Sequence, residues 1–390
     1  MRFFLGGLAA LALLGCATPP PDPPFEARLL RGHEAPVTAV AISGDGKVVV
    51  SADIAGELRV WDVEHDRELV LQQGGVRSIA FDANDTAFAA GTDHDTVSFH
   101  DALVLAENST AVATRALAGT RGATKNVRFN PSGSLLLSWD RDAIAWDLKT
   151  FEPRARIQGD VLAVSLDARL VVVRREDGVR AFETASGSEL WHTPTAADRA
   201  AFSDDGRLLA LGARDGRLSV LDATSGQEFA TLGLAGGVRS LLFSPDGKVL
   251  LVSSDGEQAA RLLEVPGLRE MRRLAWSNDA HVFSPDSTKL VSVVGNTWLV
   301  VTDVEKGREL ASRWAGERLG PFSLHFSPGG RYLVSETGAA DGATKFFDAT
   351  TWKKLADVGG TRVVFSRDGA RAAWPRGSDG VVCVADAPPR

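Results

Sequence analysis

The chain has 390 residues, 44% hydrophobic and 24% charged, the balance of an ordinary globular protein. A net charge of −7 carries no whole-chain basic signal, so nucleic acid is not an expected partner. Two cysteines, Cys16 and Cys383, are too few for a disulfide framework. In chain order, Arg2 and the apolar run from Phe3 to Leu14 come first. That run is too short to cross a bilayer and has the make-up of a signal-peptide core, so residues 1–15 are set apart from the fold. Residues 18–24 read Thr-Pro-Pro-Pro-Asp-Pro-Pro, a polyproline II spacer of roughly 20 Å at about 3.1 Å per residue. Residues 16–24 are therefore a tether, and residues 25–390 one folded domain.

That domain repeats itself. Phe243-Ser244-Pro245-Asp246-Gly247 recurs as Phe202-Ser203-Asp204-Asp205-Gly206, Phe283-Ser284-Pro285-Asp286-Ser287, Phe326-Ser327-Pro328-Gly329-Gly330 and Phe365-Ser366-Arg367-Asp368-Gly369, with weaker copies starting at Ile42, Phe81, Phe129 and Leu166. Each copy sits between short apolar runs. In the unit at 238–264 these are Val238 to Phe243, Lys248 to Ser253 and a third strand from Arg261, with a shorter fourth strand after a second turn. Proline presets φ, Asp bonds the local backbone and Gly accepts positive φ, so the motif is a turn between antiparallel strands. Four strands in about 40 residues is the size of a propeller blade. The expectation is an all-β, single closed β-propeller of four-stranded antiparallel blades. Nine blades are counted, with eight as the alternative because units two and four have degraded turns. The last unit lacks a fourth strand, and Ala27 to Arg31 has the pattern of one. The N-terminal strand is thus expected to close the ring as a velcro strand.

Three resemblances attach to particular residues. Leu13-Leu14-Gly15-Cys16 resembles the lipobox of bacterial lipoproteins. This implies cleavage before Cys16, lipid on its thiol and amine, and anchoring at the cell envelope, with the outer membrane favoured by Ala17 if the host has one. Gly32-His33 followed by Trp61-Asp62, with a second Trp146-Asp147, resembles a WD-repeat. The resemblance implies a buried hydrogen-bond network of His33, Ser51, Asp53 and Trp61. Residues 181–191, Ala-Phe-Glu-Thr-Ala-Ser-Gly-Ser-Glu-Leu-Trp, resemble the tryptophan-docking motif of pyrroloquinoline-quinone-type propellers, partly echoed at 221–226 and 303–310. Some lipoproteins of that type scaffold outer-membrane protein assembly.

Chemistry-bearing motifs are scarce. No His or Cys spacing matches a zinc site. Asp93-His94-Asp95 is the best local metal candidate, but it occupies a hairpin where Asp favours turns, so no metal or cofactor is expected. No nucleophile elbow or phosphate loop occurs, and an enzyme is not expected. Cys383, within Val381-Val382-Cys383-Val384-Ala385, reads as a buried, inert thiol. The hairpin after the second strand is acidic in most units: Asp53, Asp93, Asp95, Asp140, Asp142, Glu176, Asp177, Asp215, Asp255, Asp341 and Asp379. In a propeller these loops share one face and could meet a basic partner, although Asp-Gly pairs are also plain turn formers. The expected function is a non-catalytic protein-interaction scaffold for unidentified envelope proteins, held to the membrane by its lipid anchor. The alternatives are an outer-membrane protein assembly factor and an enzyme or small-ligand sensor using the channel.

Overall fold

The computed structural model describes residues 27–386 except 66, 73, 94–95, 103–113, 120–122, 258, 276–279, 295–297, 315–322, 338–341 and 378. The signal segment, Cys16 and the tether lie outside the described residues, as do His94, Asp95 and Asp341. Strands are numbered β1 to β36 in chain order and form nine separate four-stranded antiparallel sheets. The first complete unit has β2 (Val37–Ile42), β3 (Val48–Asp53), β4 (Glu57–Asp62) and β5 (Arg67–Gln72), paired in that order. First strands of neighbouring blades touch, as β2 does with Val76–Phe81, and so form the inner ring. Fourth strands lie outermost and alternate between exposed and half-buried, as in Glu228–Gly233. Among the described residues no helix is long and apolar enough to cross a membrane.

The ring closes within one sheet. β1 (Ala27–Arg31) pairs with β36 (Val381–Asp386), which pairs with β35 (Arg371–Arg376) and then β34 (Val364–Phe365). Ala27 lies opposite Ala385 and Arg31 opposite Val381. The last blade thus takes its outer strand from the start of the chain, as expected, and the count is nine rather than eight. β2 packs on β34 and β35, which brings the ninth blade against the first.

The core explains why the strands read as unbroken apolar runs. Nine apolar clusters occupy the nine gaps between blades. Within β3, Val49 faces the gap to the ninth blade, while Val50 and Ala52 face the second blade. Both sides of a middle strand are buried, so alternation is lost, as in any sheet covered on both faces. Cys383 is fully buried in the gap between the last two blades.

The repeated turn has one construction in all nine units. Its first polar side chain accepts the backbone N–H five residues on: Val249 donates to Ser244 Oγ at 3.0 Å, Leu135 to Asn130 Oδ1 at 3.0 Å and Ala87 to Asp82 Oδ1 at 2.9 Å. Where Asp stands two residues after Ser, the hydroxyl donates to it, as Ser244 does to Asp246 at 2.7 Å. The residue three after Ser takes positive φ, +69° at Gly247. Units two and four keep this geometry without glycine. Asp85 adopts φ +61° and Ala168 +55°. In the fourth unit the turn is Val164-Ser165-Leu166-Asp167-Ala168, two residues earlier than the start assigned at Leu166. Ser165 bonds Asp167 at 2.6 Å, and Leu166 fills the exposed proline position. The third strand of the sixth unit likewise begins earlier than expected, at Ala259.

Candidate interaction face

Antiparallel order divides the ring into two faces. The Ser-type turns and the turns between third and fourth strands lie at one end of every blade. The hairpins between second and third strands and the crossings between blades lie at the other. The first is the turn face and the second the loop face. Because β1 is an outer strand leading into a crossing, Ala27 starts at the turn face, and so does the end of β36.

The loop face carries the acidic hairpins, but cations stand beside most of the described carboxylates. Arg77 grips Asp93 through Nε at 2.5 Å and Nη2 at 2.8 Å, and Arg376 grips Asp379 at 2.9 and 2.7 Å. Arg180 pairs with Asp177, Arg239 with Asp255 at 3.5 Å and Lys125 with Asp140 at 3.0 Å. Asp215 accepts the Arg217 amide within its own turn at 2.9 Å. Arg174 bridges Asp160 at 2.8 Å and Asp198 at 2.5 Å, between two blades. The face is a mosaic of ion pairs rather than a bare anionic ring. Apart from the pair on buried Arg376, such exposed pairs contribute about 0–1 kcal/mol each to stability, so much of this surface can re-pair. Asp53 stands apart from them: it is buried.

Asp53 belongs to a chain of hydrogen bonds inside the first blade. Trp61 Nε1 donates to Ser51 Oγ at 2.8 Å, Ser51 Oγ lies 2.7 Å from His33 Nε2, and His33 Nδ1 lies 3.1 Å from Asp53 Oδ2. With the ring proton on Nδ1, each donor has one acceptor: Trp to Ser, Ser to His, His to Asp. Burial holds the imidazole below its ordinary pKa, and the Asp53 carboxylate opposes that shift. A serine, a histidine and an aspartate in this order share the constellation of a hydrolytic triad. Here all three are buried, and the serine oxygen already accepts the indole N–H, so the arrangement stabilises the blade and offers no reachable nucleophile. Glu57 stands 3.5 Å from His33, and His33, Asp53 and Glu57 are spaced as metal ligands could be. Both imidazole nitrogens are spent in hydrogen bonds and Arg59 pairs with Glu57, so the cluster is satisfied without an ion.

Sequence reading missed two related features and found a resemblance to a docking motif at a third. Trp146 Nε1 donates to Ser138 Oγ at 2.8 Å, a fragment of the first-blade chain; its Trp-Asp ending was visible, but the serine was not singled out. His100-Asp101 ends its strand where Trp61-Asp62 ends β4, and Phe88 lies opposite His100 as Val49 lies opposite Trp61. The third, the tryptophan-docking resemblance at 181–191, has a structural counterpart: Trp191 crosses to the next blade. It donates to Ala223 O at 2.9 Å, and a Cβ on Gly226 would lie 2.5 Å from its ring, so only glycine leaves room for the indole there. The partial echo at 303–310 places Arg272 rather than tryptophan against Gly307.

Comparison with known proteins agrees with this architecture. Residues 26–62 and 226–257 match the family described as WD domain, G-beta repeat. WD repeat and SOCS box-containing protein 1 of Takifugu rubripes is 31% identical over 110 residues, 27% of this chain and 26% of that protein. A guanine nucleotide-binding protein subunit beta-like protein of Encephalitozoon cuniculi is 24% identical over 232 residues, 57% of this chain and 64% of its own length. The matches thus span about a quarter of the first relative and under two thirds of the second, and both are eukaryotic proteins. Among solved structures, the computationally designed Ika8 protein superposes with a TM-score of 0.57 at 20% identity, covering 92% of this chain and 98% of that one. The class is therefore an all-β propeller in which two segments match WD-type repeats. In this chain that class takes the form of nine blades, with a WD-type hydrogen-bond chain spanning His33 to Trp61 in the first.

Proposed function

We propose that the protein is a non-catalytic interaction scaffold held at the bacterial cell envelope by lipid on Cys16. One observation supports the reading: β1 runs from the turn face toward the loop face, so the chain enters the ring at the turn face. A tether from Cys16 to Ala27 would therefore draw the turn face toward the lipid and leave the loop face turned outward, with its re-pairable ion pairs available to a partner protein. Loops on a rigid ring suit binding, because the scaffold stays fixed while the loops differ. Similarity to a protein named as a guanine nucleotide-binding protein subunit beta-like also favours binding over catalysis. Anchoring by more than one acyl chain is stable where a single chain is not. Cys16→Ser should move the protein from the membrane to the soluble fraction of the native host, and a variant that stays with the membrane removes the anchor from this reading. The Trp191–Gly226 dock favours a narrower second reading, an assembly factor for outer-membrane proteins. It requires that outer-membrane protein levels fall when the gene is deleted.

A further inference from the structure

Neighbouring blades also meet at the outer rim, through two positions. The first lies on a blade's fourth strand, opposite the residue two before the acid that ends its third strand. The second lies in the next blade, in the turn after the third strand, four residues past that strand's terminal acid. Both positions are described at the six junctions from the second blade to the eighth. At four consecutive junctions one position is large and the other small, and the large one changes sides. Between the fourth and fifth blades, Trp191 on the strand covers Gly226, where a Cβ would lie 2.5 Å from its ring. Between the fifth and sixth, Ala230 on the strand leaves the room to Leu268, buried in the cluster they share. Between the sixth and seventh, Arg272 covers Gly307, where a Cβ would run into its guanidinium. Between the seventh and eighth, Ala311 leaves the room to Trp352, again buried in a shared cluster.

Both solutions use one backbone. Gly226 and Gly307 hold φ of +72° and +64°, and Leu268 and Trp352 hold +55° and +59°. That region is easy for glycine and strained for a residue with a side chain. Leu268 and Trp352 carry the strain where the facing strand offers only alanine, which is what filling the rim gap requires. The other two junctions are matched differently. Ala155 and Gly187 are both small and their backbones close up, a Cβ on Gly187 falling 2.8 Å from that of Ala155. Arg115 lies over the Phe151 ring at 4.2 Å, so there the two large groups stack.

We propose that, from the fourth blade to the eighth, these pairs form a size-matched rim lock in which either position can supply the large member, and that the choice fixes which blade can follow which. The sixth blade supplies the large member on both its sides, Leu268 and Arg272. The fifth and seventh supply only small ones, Gly226 with Ala230 and Gly307 with Ala311. The sixth blade therefore fits between those two and not beside a copy of itself, where Leu268 and Arg272 would compete for one gap. Such a lock works against misordered closure and against exchange of blades between chains, the failures to which repeat proteins are prone. It depends on neither the lipid anchor nor a protein partner, so it stands or falls without them.

The test is a pair of double-variant cycles in the full chain, read by urea unfolding. Gly226→Trp should lower the midpoint of the parent, where Trp191 already fills the gap. In a Trp191→Ala background the same change should raise it, because the junction then copies Ala311 beside Trp352. The two changes should be coupled by at least about tenfold in the unfolding constant. The reciprocal pair, Ala311→Trp with Trp352→Gly, copies Trp191 over Gly226 and should show the same reversal of sign. It decides the question if Gly226→Trp alone does not fold. Gly226→Trp lowering the midpoint equally in both backgrounds, or losses that merely add at the reciprocal pair, would overturn the proposal.

Discussion

The first and second blades fill the same slot in opposite ways. In the first, Trp61 begins a hydrogen-bond chain that ends on a carboxylate, and every buried polar atom named in it has a partner. In the second, His100 stands where Trp61 would and stacks on Phe88 with ring centroids 4.6 Å apart. Its Nδ1 reaches Thr114 at 3.1 Å, while its buried Nε2 has no partner among the described residues. Burial lowers the pKa of both histidines. Asp53 resists that in the first blade, whereas nothing resists it in the second, where burial takes His100 down to about 4. In these two blades the slot holds a large, flat, neutral side chain, while Leu221, Thr302 and Ala385 stand there in the fifth, seventh and ninth. The polar chain is one way of filling it and not a requirement of the fold.

Breaking the first blade should have the largest effect. Trp61→Ala removes a buried indole and leaves Ser51 without its donor, so a loss of about 3–5 kcal/mol is expected in urea unfolding. A loss under 1 kcal/mol would mean the chain is decorative. The second blade should answer to pH. His100 binds a proton near 6.5 when unfolded but only at about 4 when folded, so the unfolded state binds more protons in that window. Its contribution is complete above pH 6.5 and is lost as pH falls toward 4, by about 3 kcal/mol at 1.36 kcal/mol per unit. His100→Phe should flatten that slope, and an unchanged slope would assign the acid sensitivity elsewhere. His33 acts with the same sign, so the first blade adds to the loss rather than cancelling it.

The smallest effect carries the comparison to the turns. Ala168 holds positive φ, but its methyl group is buried in the cluster between the third and fourth blades. Ala168→Gly relieves about 1–2 kcal/mol of strain and gives up about 0.8 kcal/mol of burial together with unfolded-chain entropy, so a change within about 1 kcal/mol is expected. Asp85 holds a similar φ, but its carboxylate accepts the amides of Gly44 at 2.6 Å and Asp45 at 3.1 Å in the preceding blade. Asp85→Gly should therefore destabilise. If Asp85→Gly lowers the urea midpoint no more than Ala168→Gly does, that inter-blade cap has no energetic weight.

These cases also show what could be read in advance. The turns were legible because one hydrogen-bond device is built nine times from residues adjacent in sequence. They misled only at Leu166, where an exposed leucine in the proline position passed for the buried residue that opens the turn. The missing fourth strand of the last unit was legible because a blade with three strands leaves an open edge. The ion-pair mosaic was not. Asp255 meets Arg239 and Asp160 meets Arg174 across strands, in contacts that depend on register and on the bulge beside Val238.

The pairing of β1 with β36 has a mechanical consequence. Ala27 and Ala385 lie directly opposite each other at one end of an antiparallel pair. Tension between the two termini would act across the ladder and peel it from that end, one pair of hydrogen bonds after another. A load on the chain start alone, directed along β1, would strain the whole ladder at once. The seam of the ring is therefore weak against being pulled apart and strong against being pulled away.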